Sequence, residues 1–142
     1  YEISECLVGS EMCIRDRLVP AVHEFFYKSD ALDDPFINNE QAIALGFADK
    51  ETIDEIHAMS DRVNAYLKER FVNIGIDLVD FKLEFGRLSD GTFVLADELS
   101  PDNMRLVDEA TGNSLDKDVF RKDQGPLTPV YASVLKRLKE SK

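Results

Sequence analysis

Three charged side chains alternate with apolar ones in residues 78–86, which read LVDFKLEFG. Asp80, Lys82 and Glu84 occupy every second position, and the side chains between them are apolar. A period of two predicts a β-strand with one apolar face and one charged face. Carboxylates at such positions can hold a divalent cation, and an ammonium group beside them can bind a phosphate. The spacing therefore predicts a strand that carries acid, base and acid on one face.

A hairpin is the element that must position these side chains. Asp90-Gly91 separates the strand from a second apolar run at residues 92–98, and Asp-Gly favours a two-residue turn because glycine adopts positive φ easily. A two-residue loop places Glu84 directly opposite Asp97, at about 4.5–5.5 Å between Cβ atoms. Two carboxylates at that separation repel each other. Mg²⁺ or a raised carboxyl pKa would relieve the repulsion.

Two other interpretations of the hairpin stay open. A three-residue loop would shift the register by one residue, and Glu84 would no longer face Asp97. Alternatively, the charges form the solvated outer face of an antiparallel hairpin, where charged side chains are common. The pattern alone does not choose between a metal site and a solvated face.

Two helices accompany the hairpin in the predicted scaffold. One is predicted from Asp49 to about Phe71, capped by Asp49 and ended near Gly75. Another is predicted after Pro126, with basic residues at its C-terminal end. Residues 101–112 are predicted to be a loop with short structure. The order of loop, helix, hairpin, loop and helix indicates an α+β fold rather than alternating β-α-β units.

Four motifs, in order along the chain, resemble those of the SAICAR synthetase family of purine biosynthesis. Residues 78–86 are similar to a signature of that family. The other similar stretches are residues 25–38 (FFYKSDALDDPFIN), residues 96–102 (ADELSPD) followed by residues 105–106, and residues 115–118 (LDKD) followed by residues 120–121. The resemblance runs from about Leu18 to the C-terminus. It implies an ATP-grasp-like fold in which this chain, an antiparallel hairpin or sheet packed with helices, forms the larger part of the second lobe.

The same resemblance implies an ATP-dependent carbon–nitrogen ligase. The family activates the carboxylate of carboxyaminoimidazole ribonucleotide with ATP, as an acyl phosphate. The amine of L-aspartate then attacks to give the succinocarboxamide SAICAR, ADP and phosphate. Phosphoryl transfer of this kind needs Mg²⁺ and cationic groups to offset negative charge. The implied cofactors are therefore ATP and Mg²⁺, and the implied partners are small-molecule substrates.

Roles for individual side chains also follow from the resemblance. Glu84 and Asp97 match the metal-binding carboxylates. Lys82 matches a lysine near the nucleotide phosphates and completes the implied catalytic and cofactor-binding set. Arg105 matches an arginine that binds the ribonucleotide phosphate, for which a planar fork of donors is suited. The other implied substrate-binding positions, which line a pocket without separate roles, are Lys28, Asp30 and Asp34.

Residues 1–17 match nothing in the family and lack clear periodicity. They contain no apolar h-region typical of a signal peptide, so we expect an artefactual leader or, alternatively, a divergent extension. Residues 18–142 are expected to be the C-terminal part of the synthetase domain. The chain has neither the family's glycine-rich nucleotide-covering region nor a G-x-x-x-x-G-K-[ST] motif. We therefore expect that the chain alone has no ligase activity.

Composition narrows the class of partner. The net charge of −11 argues against binding to nucleic acids or anionic membranes, because both favour basic surfaces. No apolar run approaches the roughly 18 residues that span a bilayer. Both cysteines lie in residues 1–17, so the rest of the chain offers no disulfide or thiolate chemistry, as expected of a cytoplasmic enzyme. The family resemblance leaves a homodimer open.

A second function stays open beside the ligase. The chain could be a non-enzymatic acidic α+β domain whose Glu84–Asp97 pair binds a structural divalent cation. Such a domain would lose thermal stability in the presence of a chelator and would not bind ATP. His23 and His57 are predicted to be packed or surface residues, because no further His or Cys stands at metal-ligand spacing.

Overall fold

The computed structural model describes residues 3–7 and 18–141, which fall into two compact units. Unit 1 comprises residues 3–7, 18–62 and 82–98, and unit 2 comprises residues 63–81 and 99–141. The strands are β1 (Ile3–Leu7), β2 (His23–Tyr27), β3 (Phe36–Ile37), β4 (Ile76–Arg87), β5 (Phe93–Leu95) and β6 (Met104–Asp108). The helices are α1 (Asn39–Ala44), α2 (Lys50–Val72), α3 (Asp118–Arg121) and α4 (Leu127–Glu140). Antiparallel strands combined with helices confirm the α+β class.

The strands of unit 1 follow the order β3-β2-β1-β4-β5. Strand β2 pairs antiparallel with both β1 and β3. Strand β1 lies within residues 1–17, which carry none of the four family motifs. The other residues of 1–17 lie outside the described part of the chain. The most buried apolar side chains of this unit are Phe25, Ile37, Ala42, Ile53, Ile56, Leu83 and Phe85.

The hairpin between β4 and β5 has a three-residue loop, so the predicted two-residue turn is wrong. The Leu88 N–H donates to the Thr92 carbonyl at 2.8 Å, and Phe85 pairs with Leu95. The Asp90 carboxylate accepts from the Thr92 N–H at 2.9 Å, and this local bond stabilises the longer loop. As a consequence Glu84 faces Ala96, whose N–H donates to the Glu84 carbonyl at 2.8 Å, instead of Asp97.

A β-bulge interrupts the predicted alternation at the start of β4. In unit 2, Leu78 pairs with Leu106 but Asp80 pairs with Arg105, so the register shifts between Leu78 and Asp80. The extra residue, Val79, is 45% exposed although the pattern assigned it to the apolar face. A bulge turns one side chain out of the alternation, and this explains the difference. Further along β4 the prediction holds, with buried side chains at Phe81, Leu83 and Phe85.

Strand β6 occupies part of the segment predicted to be a loop. A 3-10 turn at Pro101–Asn103 begins with Ser100, whose side chain accepts from the Asp102 N–H, and β6 follows directly. The side chains of Met104, Leu106 and Asp108 are buried along one face of β6. The buried Asp108 carboxylate accepts hydrogen bonds from Arg137 and from the Ala110 and Thr111 N–H groups of the following turn.

Both predicted helices are present. Helix α2 begins after Asp49, whose carboxylate accepts from the Thr52 N–H at 2.8 Å, and it ends before Gly75, which has a φ of 69°. Helix α4 begins after Pro126 and buries Val134. Helix α1 was not predicted, although Asn38 and Gln41 form a capping box at its start. No helix within residues 18–141 is long and apolar enough to cross a membrane.

Candidate functional site

In unit 1, one carboxylate is paired with two lysines. The Lys28 Nζ lies 2.9 Å from Oε2 of Glu84, and the Lys82 Nζ lies 2.9 Å from Oε1 of the same side chain. Lys28 directly follows β2, whereas Lys82 and Glu84 are two residues apart on β4 and therefore share a face. The structure thus brings together two residues from the signature motif and one from a segment more than fifty residues earlier.

The two lysines favour the ionised form of the Glu84 carboxylate. Burial alone would raise its pKa, because the Glu84 side chain is only 16% exposed. The hydrogen bonds from Lys28 and Lys82 and their positive charges outweigh burial, and the net effect lowers the pKa of Glu84. An ionised carboxylate offers the oxygen ligands that Mg²⁺ binds in proteins.

The other predicted metal ligand, Asp97, lies beyond the end of β5. Its side chain is exposed, and Oδ1 accepts from the Glu98 N–H at 2.8 Å. The residue opposite Glu84 is Ala96, so cross-strand pairing does not bring Asp97 to face Glu84. Within residues 18–141, no group of three or more His, Cys, Asp and Glu side chains could hold a metal ion. The donor chemistry of Glu84 and Asp97 fits Mg²⁺, which keeps several waters and takes substrate phosphates as further ligands.

The other predicted residues of unit 1 lie in the turn between β2 and β3. Asp30 begins a short 3-10 turn, and the Asp34 carboxylate accepts from the Ser29 N–H at 2.7 Å. Asp33 and Asp34 have φ angles of 56° and 43°, in the left-handed region that non-glycine residues adopt rarely. The Asp34 side chain therefore holds a strained turn directly after Lys28.

Arg105 lies in unit 2, on β6. Its Nε donates to Oδ2 of Asp80 at 2.7 Å, and its Nη2 pairs with the same oxygen. The Asp80 side chain is 7% exposed and the Arg105 side chain is 39% exposed, so the pair has a buried acid and a more accessible base. The strand pattern identified Asp80 as a charged residue but not as the partner of Arg105. The sequence feature that could have indicated this pair is an acidic residue on one strand and a basic residue on the strand that pairs with it.

Asp116 is a buried carboxylate in unit 2 for which the sequence motifs predict no role. Its Oδ2 accepts from the Leu106 N–H and its Oδ1 from the Asp118 N–H, each at 2.7 Å. The side chain is among the most buried of the chain, and burial raises the pKa of Asp116 despite these two bonds. Because Leu106 follows Arg105, Asp116 fixes the backbone of β6 beside the arginine.

Unit 1 also contains a cavity of about 610 Å³, whose lining residues belong to none of the family motifs. Arg87 lies at its wall, where it donates to Oγ1 of Thr52 at 3.0 Å and to the Gly91 carbonyl at 3.2 Å. The Arg87 guanidinium also lies 5.2 Å from the centre of the Phe93 ring. These contacts connect the hairpin to the start of α2. The cavity is lined by Ile43, Gly46, Phe47, Ala48, Asp49, Glu51, Thr52, Glu55 and Arg87.

Comparison with known proteins gives a consistent result. The family model described as SAICAR synthetase matches residues 9–138. The chain is 63% identical over 124 residues to a phosphoribosylaminoimidazole-succinocarboxamide synthase from Lacticaseibacillus paracasei, a match that covers 87% of this chain and 52% of the relative. The chain therefore spans about half the length of the curated relatives it matches.

Solved structures resemble the chain in fold as well as in sequence. One, a SAICAR synthetase (Type-2) in complex with ADP, superposes with a TM-score of 0.84 at 40% identity, over 96% of this chain and 61% of that one. Another, a SAICAR synthetase (Type-1) from Pyrococcus horikoshii OT3, gives a TM-score of 0.84 at 40% identity, over 98% of this chain and 64% of that one.

Proposed function

Because the chain belongs to the SAICAR synthetase family, we propose that it forms part of an ATP-dependent ligase that joins L-aspartate to carboxyaminoimidazole ribonucleotide. The products are SAICAR, ADP and phosphate. The observation that carries this proposal is the Lys28–Glu84–Lys82 cluster, which places two cations and one carboxylate of the family motifs in contact. A relative superposed above is described as a complex with ADP, which supports ATP as the nucleotide.

In this proposal the lysines of unit 1 act on the polyphosphate. Lys82 and Lys28 offset charge on the transferring phosphoryl group, and Glu84 holds both ammonium groups before the nucleotide binds. Glu84 and Asp97 would hold Mg²⁺, which would supply positive charge to offset the negative charge of the phosphate groups. Asp34 keeps the turn after Lys28 in place through its bond to Ser29, and Asp30 lines the same turn.

Arg105 would bind the phosphate of the ribonucleotide. Asp80 holds Nε and Nη2 of Arg105 and so fixes the plane of the guanidinium group. A fixed planar fork suits a phosphate because two parallel N–H groups can meet two oxygens. Asp116 supports the same position from the backbone side through its bond to the Leu106 N–H.

The finer assignments belong to the same proposal. We propose residues 18–142 as the synthetase portion and residues 1–17 as a leader outside the family motifs, although the family match begins at residue 9 and β1 pairs with β2. We further propose that the isolated chain does not turn over substrate. The protein acts in the cytoplasm on small molecules, with neither nucleic acid nor membrane as a partner, and a homodimer is the assembly that the family resemblance leaves open.

A grafted enzyme tests the function. In it, the matching segment of the Lacticaseibacillus paracasei relative is replaced by residues 18–142 of this chain, which is feasible at 63% identity over 124 residues. We expect the grafted enzyme to form SAICAR from the three substrates, and the isolated chain to form none. A folded graft that binds ATP without forming SAICAR would contradict the ligase assignment. A second graft that retains residues 1–17 tests whether that segment interferes.

A further inference from the structure

Both oxygens of Glu84 are occupied by ammonium groups of this chain. Oε1 is paired with Lys82 and Oε2 with Lys28, each at 2.9 Å. The Glu84 side chain is 16% exposed, and the lysine side chains are 38% and 41% exposed. The carboxylate is therefore covered by its partners, while the ammonium groups remain accessible to solvent.

The charges of the three side chains do not cancel. Two ammonium groups and one carboxylate leave a surplus of one positive charge in direct contact. Such a cluster attracts a polyanion and repels a divalent cation, although a carboxylate alone would attract the cation. The same three side chains would thus respond in opposite ways to the two components of a metal–nucleotide complex.

We propose that Lys28 and Lys82 exclude divalent cations from Glu84 until a polyphosphate draws the two ammonium groups away. The exchange of partners transfers the lysines from the carboxylate to phosphate oxygens and leaves Glu84 to the cation. It breaks no covalent bond and moves no proton. Binding of the cation and of the polyphosphate is then mutually favourable, because each removes the competitor of the other. The identity of the polyphosphate as ATP rests on the proposed function, but the exchange itself does not.

A purely structural role for the cluster predicts a different outcome. If the lysines only hold β4 against the residue after β2, removing one of them lowers the stability of unit 1 and leaves cation affinity unchanged or weaker. Under partner exchange, removing one lysine strengthens cation binding and weakens polyphosphate binding. The opposite signs of these two changes separate the two roles.

The experiment uses the complete chain and two probes in separate titrations. Mn²⁺ alone is followed by water-proton relaxation, and inorganic tripolyphosphate alone is followed by calorimetry. We expect Lys28→Met and Lys82→Met each to bind Mn²⁺ about tenfold more tightly than the parent chain, and tripolyphosphate about tenfold more weakly, as for loss of one charge-assisted contact. The gain in Mn²⁺ affinity must disappear in the double variant Lys28→Met/Glu84→Gln.

Lys50→Met is the matched control. Lys50 is 77% exposed and pairs with Asp54 on α2, so both affinities should stay unchanged. Circular dichroism establishes that each variant is folded, and Lys28→Gln replaces Lys28→Met if the latter is not. Unchanged or weaker Mn²⁺ binding in folded variants at both lysines, or no Mn²⁺ binding in any variant, overturns the proposal. If the lysine variants bind Mn²⁺ more tightly but the grafted enzyme is inactive, the proposed partner exchange is supported and the proposed ligase function is wrong.

Discussion

The carboxylate of Asp80 accepts hydrogen bonds from both Nε and Nη2 of Arg105, across the neighbouring strands β4 and β6 of unit 2. The bulge that turns Val79 outward also sets the register that pairs these two residues. An irregularity in the strand therefore orients the arginine that the family resemblance assigns to the ribonucleotide phosphate. The ion pair that stabilises the two strands therefore contains the arginine that is proposed to bind phosphate.

Loss of the Asp80 partner should affect one substrate more than the others. In the grafted enzyme, Asp80→Asn should raise the KM for the ribonucleotide about tenfold and leave the KM for ATP unchanged, because the guanidinium plane is no longer fixed. Steady-state kinetics with each substrate varied measure the split. Lys122→Met removes an ion pair between the exposed Lys122 and Asp118 and should change neither KM. An equal rise in both KM values would show a general structural defect instead.

Neutralising Glu84 should remove turnover without unfolding the protein. Glu84→Gln retains the shape of the side chain but holds two ammonium groups and a cation poorly, so the rate of SAICAR formation should fall about a hundredfold or more. The grafted enzyme is assayed at saturating substrates, and its melting temperature is measured in parallel. A variant that retains most of its activity would remove Glu84 from the proposed catalytic set.

Acid should weaken unit 2 through the pair of Asp108 and Arg137. The hydrogen bond from Arg137, followed by the Thr111 N–H, lowers the pKa of Asp108 from its ordinary value of 3.8. A lowered pKa means that this stability is present above the unfolded-state value and is lost as pH falls through the folded-state value. At pH 7, Arg137→Met should lower the free energy of unfolding by about 1–3 kcal/mol.

Urea unfolding of the complete chain at several pH values checks this sign. The difference in the free energy of unfolding between the parent chain and Arg137→Met should become smaller as pH falls below 3.8, the ordinary pKa of Asp108. Burial of Asp116 acts in the opposite direction, because a raised pKa favours the protonated folded state at low pH. The Asp116 contribution to stability is the same in the parent chain and in Arg137→Met, so it cancels when their free energies of unfolding are subtracted. A difference that widens in acid would contradict the assigned pair.

The three-residue hairpin loop can be tested at Gly91, with Gly86 on β4 for comparison. Gly91 has a φ of 90°, so Gly91→Ala should destabilise the chain by about 1–2 kcal/mol. Gly86 is the matched control, because an added Cβ would lie 3.5 Å from the Ala96 Cβ, which is ordinary contact. Thermal or urea unfolding of both variants gives the comparison. Equal effects at the two positions would argue against the left-handed conformation at Gly91.

Local sequence determined much of the secondary structure. The cap at Asp49, the stop at Gly75 and the apolar alternation at Phe81, Leu83 and Phe85 were all predicted, because each depends on neighbours a few residues away. Strand β6 was missed since Asp108 occupies a buried position, where the distant Arg137 and the adjacent turn at Ala110 and Thr111 both donate to its carboxylate.

Sequence also selected the residues of the candidate site but not their partners. The motif identified Lys28, Lys82 and Glu84, and chain spacing could not show that the two lysines would share one carboxylate. The opposition of Glu84 and Asp97 was wrong because one additional loop residue moves every cross-strand pair, and the Asp90–Thr92 bond that selects the longer loop is not encoded in the alternation of apolar residues. Residue types and short-range spacing therefore identified the family, helices α2 and α4 and most of strand β4. Strand register and long-range ion pairs depend on contacts between distant segments, which no short stretch of sequence contains.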